Sequence, residues 1–204
     1  MVTSRTQKRI ASLVTSIDEK GIALNVGAGA TRISTNIINV DIYDSGETDV
    51  LASALALPFA DNFVDLVILQ GVLEHVEDAQ QTITECYRVL KPGGLFYTEM
   101  PFLQPYHECP IDMMRRTRPG LAHLCLPLKE VETGIHIGPA STITWILRET
   151  LAGAISRGKY NVHRYASTLI GWCVFPIKYA DYFLEKIPSL HTVASSCYYL
   201  GRKG

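Results

Sequence analysis

Three groups of residues in this 204-residue chain have types and spacings that suit chemistry. The first is Asn25-Val-Gly27-Ala-Gly29, which closes one short apolar run, together with Asp41, which closes the next. Glycines at the end of a strand let a ligand approach the backbone, and an acid ending the neighbouring strand can accept hydrogen bonds from both hydroxyls of a ribose. A dinucleotide fingerprint would need a further glycine where Arg32 stands, and only six residues separate Ala30 from Ile37. The helix that would face a pyrophosphate is therefore expected to be absent or vestigial, which disfavours a pyrophosphate cofactor. The second group lies in the polar, proline-punctuated stretch 101–119, PFLQPYHECPIDMMRRTRP, which is too long for a mere connection and reads as a functional loop or lid. His107, Cys109 and Asp112 there have ligand chemistry but lack a fourth partner, so no metal site is expected. The third is a set of aromatic and basic residues between 165 and 186.

The elements that must position these residues follow from hydrophobic patterning. Ile22 to Val26, Asn36 to Ile42, a short segment around Asp49 to Leu51 and Val64 to Leu69 read as strands, and their uncharged interiors suit a parallel sheet covered on both faces. Asp78 to Leu90 has helical spacing, with Ile83, Cys86, Tyr87 and Leu90 on one side, and Lys91-Pro92-Gly93-Gly94 supplies the stop. Leu95 to Met100 resumes as a strand. Alternation of this kind predicts an α/β fold with a doubly wound, mostly parallel sheet. Beyond it the sequence predicts a short helix at Leu121 to Leu126 and a strand at Glu130 to Ile137. A helix from Ser141 to Leu151, capped by Ser141, is expected next, then helical segments around Tyr165 to Phe175 and Lys178 to Lys186, and a closing strand at Val193 to Leu200. At the N-terminus, Ile10, Leu13, Val14 and Ile17 lie at helical spacing. One domain is expected, made of an N-terminal helix (1–20), a cofactor-binding half (21–101), a substrate loop and helical cap (102–192) and a closing strand (193–204).

The order LALPFADNFVDLVILQGVLEHVED followed by ECYRVLKPGG resembles the class I S-adenosylmethionine-dependent methyltransferases, in particular the small-molecule group with LPF, LEHV and RVLKPGG motifs. The likeness covers residues 22–101. It implies a Rossmann-like sheet with a helical insertion before a last, antiparallel strand, and S-adenosylmethionine as cofactor. Carried over by position, Asn25, Gly27, Ala28 and Gly29 would lie along the methionine and ribose part of the cofactor, and Asp41, followed by Ile42, would hold the ribose diol. Ser53 and Ala54 would border the adenine, and Gln70 and Val72 would line the side shared with the substrate. His75 would face the site or anchor the next helix. Asn25, Thr31 and Ser53 depart from the usual pattern, which leaves open a weaker cofactor affinity or a retired site. Pro105-Tyr-His107 with Pro110, Asp112, Arg116, Thr117 and Gly120-Leu121, then Gly138-Pro139 and the ending LGRK, resemble a subgroup found in bacterial sugar and secondary-metabolite pathways.

The reaction so implied is in-line attack of an acceptor on the sulfonium methyl. Holding the two in near-attack geometry can supply roughly 7 to 11 kcal/mol of the barrier. A hydroxyl acceptor must also lose a proton, for which a neutral histidine suits neutral pH, so His107 is the expected base and Asp112 either orients it or acts instead. Arg115 or Arg116, with Tyr106 nearby, would hold the substrate, the arginines through an anionic part of it. The expected acceptor is the hydroxyl of a sugar or secondary metabolite. The alternatives are N- or C-methylation of a lipid-like or polyketide acceptor, or a protein that binds the cofactor without catalysis.

Charge divides the chain in two. Residues 1–150 carry 12 basic against 18 acidic side chains, while residues 151–204 carry 7 against 2 and hold 9 of the 18 aromatics. An acidic body without basic or aromatic RNA motifs argues against nucleic acid as a partner. Five scattered cysteines with no CxxC pair and no secretory apolar run lead to an expected cytoplasmic setting. The uncharged stretch Ala166 to Ile177 is too short to span a bilayer. The aromatic region, with Tyr165, Trp172, Phe175, Tyr179, Tyr182 and Phe183 beside Arg164 and Lys178, is expected either to cap the substrate pocket or to rest on a membrane through residues 165–186. The oligomeric state is not legible.

Overall fold

The computed structural model describes residues 4–17, 20–107 and 111–204. Helix α1 (Ser4–Ser16) leads into strands β1 (Ala23–Val26), β2 (Ile37–Asp41), β3 (Val50–Leu51) and β4 (Val64–Gln70). Helix α2 (Ala79–Val89), strand β5 (Leu90–Pro101), helix α3 (Arg118–Leu124) and strand β6 (Lys129–Ile137) follow. Helices α4 (Pro139–Ser156), α5 (Tyr160–Val174) and the single turn α6 (Asp181–Leu184) come before β7 (Ser196–Arg202). The seven strands form one sheet in the order β3-β2-β1-β4-β5-β7-β6, in which β1 to β5 pair in parallel and β7 runs antiparallel to both its neighbours. This is the α/β sheet, with a helical insertion before an antiparallel last strand, that the sequence led us to expect.

Strand β4 shows why the sheet must be covered on both sides. Leu66 and Ile68 join Ile10 and Leu13 of α1 on one face, while Val67 and Leu69 join Ile83, Cys86 and Val89 of α2 and Leu121 and Leu124 of α3 on the other. Successive strand side chains point to opposite faces, so an unbroken apolar strand has to be sandwiched. Full burial of each such aliphatic contributes roughly 1.5 to 3 kcal/mol. No helix separates β1 from β2, as the short spacing after Ala30 requires.

Several boundaries differ from the sequence expectation. Helix α4 begins at Pro139, and Ser141 is not its N-cap. The cap comes from far along the chain, because the buried Asp181 carboxylate accepts from the Ala140 and Ser141 N–H groups at 2.7 and 3.0 Å and from Ser141 Oγ at 2.6 Å. Gly138 makes room for it, since a Cβ there would stand 2.4 Å from Asp181 Oδ1. Helix α3 starts at Arg118, capped by Thr117 with Pro119 in its first turn, three residues before the expected Leu121. A 3-10 turn at Pro188–Val193 delays the closing strand to Ser196. No helix among the described residues is long and apolar enough to cross a membrane.

Candidate functional site

The turn after β1 is built to bring backbone close to a ligand. Gly27 and Gly29 have φ of +70° and +53°, the left-handed region where a side chain is strained. A Cβ on Gly27 would also stand 2.4 Å from Val72 Cγ2, so the turns after β1 and β4 touch at this glycine. Gly27 N–H donates to Val40 O at 2.8 Å, and Gly29 N–H donates to Asp41 Oδ2 at 2.8 Å. Asp41 Oδ1 accepts from Tyr43 N–H at 3.0 Å. Each carboxylate oxygen thus fixes one turn and keeps lone pairs for a further donor. Ala28 is buried, while Ile42 and Tyr43 beside the acid are exposed. Ser53 Oγ accepts from Leu55 N–H at 3.2 Å, shaping the turn that carries the buried Ala54.

Asn25 plays a structural part. Its buried amide donates to Asn39 Oδ1 at 3.1 Å, and Asn39 in turn donates to the carbonyls of Thr31 and Glu47 at 3.1 and 2.9 Å. Arg32 binds Glu47 Oε2 at 2.8 Å and both oxygens of Asp49. These contacts stitch residues 27–36 to residues 42–49, doing for a helix-less turn what a crossover helix does elsewhere. Asn39, Glu47 and Asp49 were not singled out from sequence. The signal was Arg32 itself, a long cation where a glycine would have served.

Next to this turn, at the ends of β4 and β5, lies a cavity of about 270 Å³ whose walls include Gln70, Glu74, His75, Glu99, His107, His136 and Trp145. Glu99 Oε1 accepts from Tyr97 Oη at 2.5 Å and stands 3.2 Å from His136 Nδ1, while Gln70 Nε2 donates to Oε2 at 3.4 Å. Burial raises the Glu99 carboxyl above the usual range and pushes the His136 imidazole down to about 4, so that ring is neutral. The Glu74 side chain is only 3% exposed, and its Oε2 has no hydrogen-bond partner among the described residues. Burial raises this carboxyl as well. His75 Nδ1 lies 2.6 Å from Ile111 O. A carbonyl only accepts, so the proton sits on Nδ1, and Nε2, 3.9 Å from Glu74 Oε1, keeps its lone pair.

The loop after β5 closes over this cavity. Met113 N–H donates to Glu74 O at 2.8 Å, which together with the His75 contact pins residues 111–113 onto the turn after β4. His107 stands edge-on to His75 with ring centroids 5.3 Å apart and tilts against Trp145 at 6.1 Å. Its backbone N–H donates to Asp112 Oδ2 at 3.0 Å. The Asp112 side chain is 1% exposed and gripped by both terminal nitrogens of Arg115. Burial would raise this carboxyl, but the hydrogen bonds from Arg115 and His107 N–H outweigh it and hold the group below the usual carboxylate range. Arg115 also donates to Met114 O and Pro105 O, and its Nη2 stands 3.4 Å from His107 Nδ1.

With this geometry in hand, the comparisons with known proteins locate the chain. Residues 14–98 match the model of a family described as methyltransferase domain. Over 67 residues the chain is 46% identical to the malonyl-(acyl-carrier protein) O-methyltransferase 1 of Coxiella burnetii, and over 79 residues it is 34% identical to the demethylmenaquinone methyltransferase of Symbiobacterium thermophilum. Those segments cover 31% and 39% of this chain but only 24% and 32% of the two relatives. The whole sheet superposes on an S-adenosylmethionine-dependent methyltransferase from Archaeoglobus fulgidus, with a TM-score of 0.60 and 14% identity over 98% of this chain and 93% of that one. The cyclase SpnF superposes with a TM-score of 0.59 and 14% identity over 100% and 83%. The fold is a methyltransferase fold.

Most of the residues expected to hold the cofactor, from Asn25 to His75, fall inside the matched segment, at the carboxyl ends of β1, β2 and β4 and in the turn after β3. Of Tyr106, His107, Asp112, Arg115 and Arg116, the loop residues expected to act, His107 alone lines the cavity. Asp112 and Arg115 are engaged with each other as an ion pair. Tyr106 is 63% exposed, away from the cavity wall. The Arg116 guanidinium has no hydrogen-bond partner among the described residues. Cys109 lies outside the described residues. Glu74, Glu99, His136 and Trp145 join the site unannounced.

Proposed function

We propose that this protein transfers the methyl group of S-adenosylmethionine to a hydroxyl of a small polar acceptor. The observation that carries this reading is the contact between Gly27 and Val72, which sets a ribose-competent turn directly beside a cavity lined with carboxylates and imidazoles. Asp41 holds the ribose diol, Gly27, Ala28 and Gly29 lie against the ribose and methionine, and Ile42, Ser53 and Ala54 border the adenine. Gln70, Val72 and His75 separate cofactor from acceptor. At about 270 Å³ the cavity takes the reacting end of an acceptor and leaves the remainder to the loop surface. Its polar wall suits a hydroxylated acceptor such as a sugar. The groups placed to receive the hydroxyl proton are His107 and Glu99, whose affinity for a proton burial has raised. Asp112 and Arg115 act as positioning residues that fix the backbone of His107.

The insertion supports a second partner. Trp172, Leu169 and Phe183 are 78%, 68% and 68% exposed, and neither they nor Tyr165, Tyr179 and Tyr182 line the cavity. Lys178 Nζ sits 3.7 Å from the Phe175 ring centroid and Lys186 Nζ 4.3 Å from that of Tyr182. Aromatic rings edged by cations fit the interface of an anionic membrane. Capping of the cavity falls to Trp145 of α4, and residues 165–186 rest on lipid.

Calorimetric titration with S-adenosylmethionine and with its demethylated product tests the central reading. Saturable binding of both is expected, and no heat from either would overturn it. Transfer of a labelled methyl group to a panel of hydroxylated acceptors then separates an enzyme from a cofactor-binding protein.

A further inference from the structure

We infer that Glu74, His75 and His107 form a binding site for one divalent transition-metal ion on the wall of the acceptor cavity. Their ligand atoms lie within 4.8 Å of one another, and Glu74 Oε1 and His75 Nε2 are already 3.9 Å apart. Around a cation with bonds near 2.1 Å, donors stand about 3 to 4 Å apart, so the widest pair needs to draw in by about 1 to 2 Å. The donors come from two separate segments, the turn after β4 and the loop after β5, which the Met113 to Glu74 hydrogen bond clamps together.

Two independent features point to a ligand at this place. Glu74 Oε2 is buried without a partner among the described residues, on a side chain 3% exposed, a costly arrangement for a carboxylate unless something positive reaches it. The tautomer of His75 is set as a metal ligand requires, because Ile111 O takes the Nδ1 proton and leaves the Nε2 lone pair aimed toward Glu74. Such an outer hydrogen bond is the usual support of a ligating imidazole. For His107 the backbone N–H is held by Asp112 Oδ2 at 3.0 Å, and Pro105 O, Asp112 Oδ2 and Arg115 Nη2 all stand 3.4 Å from Nδ1. Two imidazoles and one carboxylate favour zinc, iron, cobalt or manganese over calcium or magnesium, and three protein ligands facing a cavity leave positions open for an exogenous oxygen.

The consequence for chemistry rests on the proposed methyl transfer. An acceptor hydroxyl entering an open position would become more acidic, and its O–H proton would pass to Glu99, which lines the same cavity. The oxygen lone pair forms the new O–CH3 bond as the S–CH3 bond breaks and its electron pair returns to sulfur, leaving a neutral thioether. His107 is then a ligand, and Glu99 takes the proton.

The site is testable without turnover. Full-length protein freed of metal by chelator is titrated with Co²⁺, followed by visible absorption, and with Zn²⁺ by calorimetry. One equivalent per chain is expected, with Zn²⁺ displacing Co²⁺. Glu74→Gln and His107→Gln should each weaken Zn²⁺ at least about tenfold, and Asp112→Asn by about 10- to 100-fold through ring orientation. Should Glu74→Gln fail to fold, His107→Gln in the loop decides the matter. No saturable Co²⁺ or Zn²⁺ binding, or unchanged binding in His107→Gln, overturns the site. The titration with S-adenosylmethionine is a separate isotherm, so the cofactor reading can stand if the metal fails, and the reverse.

Discussion

The turn after β1 and the insertion between β6 and β7 solve opposite problems. In the first, nearly every polar atom is committed: Asn25 to Asn39, Arg32 to Glu47 and Asp49, Asp41 to two backbone amides. In the second, a 15-residue helix, α5, buries only Val174 and turns Tyr165, Leu169 and Trp172 outward. A ligand site gains from being rigid before the ligand arrives, because less freedom is lost on binding. A surface that meets a fluid partner needs area and charge more than fixed geometry. Substitutions should therefore cost much in the first region and little in the second.

Gly27→Ala should have the largest effect. The left-handed φ costs about 1 to 2 kcal/mol for an L residue, and the overlap with Val72 adds about 1 to 3 kcal/mol. Thermal unfolding and cofactor titration should both register the change. Adding Val72→Ala should recover the steric part and leave the backbone part. Full recovery would mean that the φ is relaxed in solution.

His136 sharpens the comparison from the cavity side. Its folded pKa, pushed down to about 4, lies below the 6.5 of an unfolded chain. Its contribution is fully present above pH 6.5 and is lost as pH falls through 4, amounting to at most about 3 kcal/mol. Glu74 and Glu99 act in the other direction. Their folded values are raised, so their contribution is present below the ordinary carboxylate range and is lost as pH rises through the folded values. Denaturant unfolding across pH 4 to 8 should show the acid limb flattened in His136→Gln and the alkaline limb flattened in Glu99→Gln. Parallel curves for wild type and both variants would remove these groups from the pH dependence.

Asp41→Asn comes next. It replaces charge-assisted hydrogen bonds, worth about 1.5 to 3 kcal/mol each, with neutral ones at the ribose. Cofactor affinity should fall about 10- to 100-fold, while the fold is kept by the amide oxygen that still accepts from Gly29 or Tyr43. Unchanged affinity in calorimetry would move the ribose elsewhere.

The sequence carried Gly27, Gly29 and Asp41 because strand ends, glycines and a closing acid are local signals. Glu99 and His136 escaped because β5 and β6 are buried on both faces near their ends, so no alternation distinguishes a side chain facing a cavity from one facing a helix. Arg115 and Arg116 are adjacent in a stretch without periodicity, and only the tertiary position of Asp112 decides which turns inward. Ser141 has the chemistry of a cap, but the helix begins two residues earlier, and Asp181, forty residues on, takes the first-turn amides of Ala140 and Ser141. Glu74 stood in plain view within LEHV, though the burial of its Oε2 without a partner among the described residues is a fact of packing alone.

The outward face of α5 offers the smallest effect on stability and the clearest test of the contrast. Leu169 and Trp172 are 68% and 78% exposed, so Leu169→Glu with Trp172→Glu removes little buried area, and the change in unfolding free energy should stay within about 0.5 kcal/mol per site. Cofactor titration should be unaffected, since neither residue touches the cavity. Flotation with vesicles of mixed phosphatidylglycerol and phosphatidylcholine should carry the wild type upward and leave the variant at the bottom. Raised salt should weaken the wild-type interaction, because the basic residues around the rings act through screened charge. A wild type that never floats counts against lipid. If the same substitutions instead change the sedimentation of the lipid-free protein, the face belongs to a second copy of the chain, an arrangement that would have to bring Arg164, Lys178 and Lys186 close to their own copies.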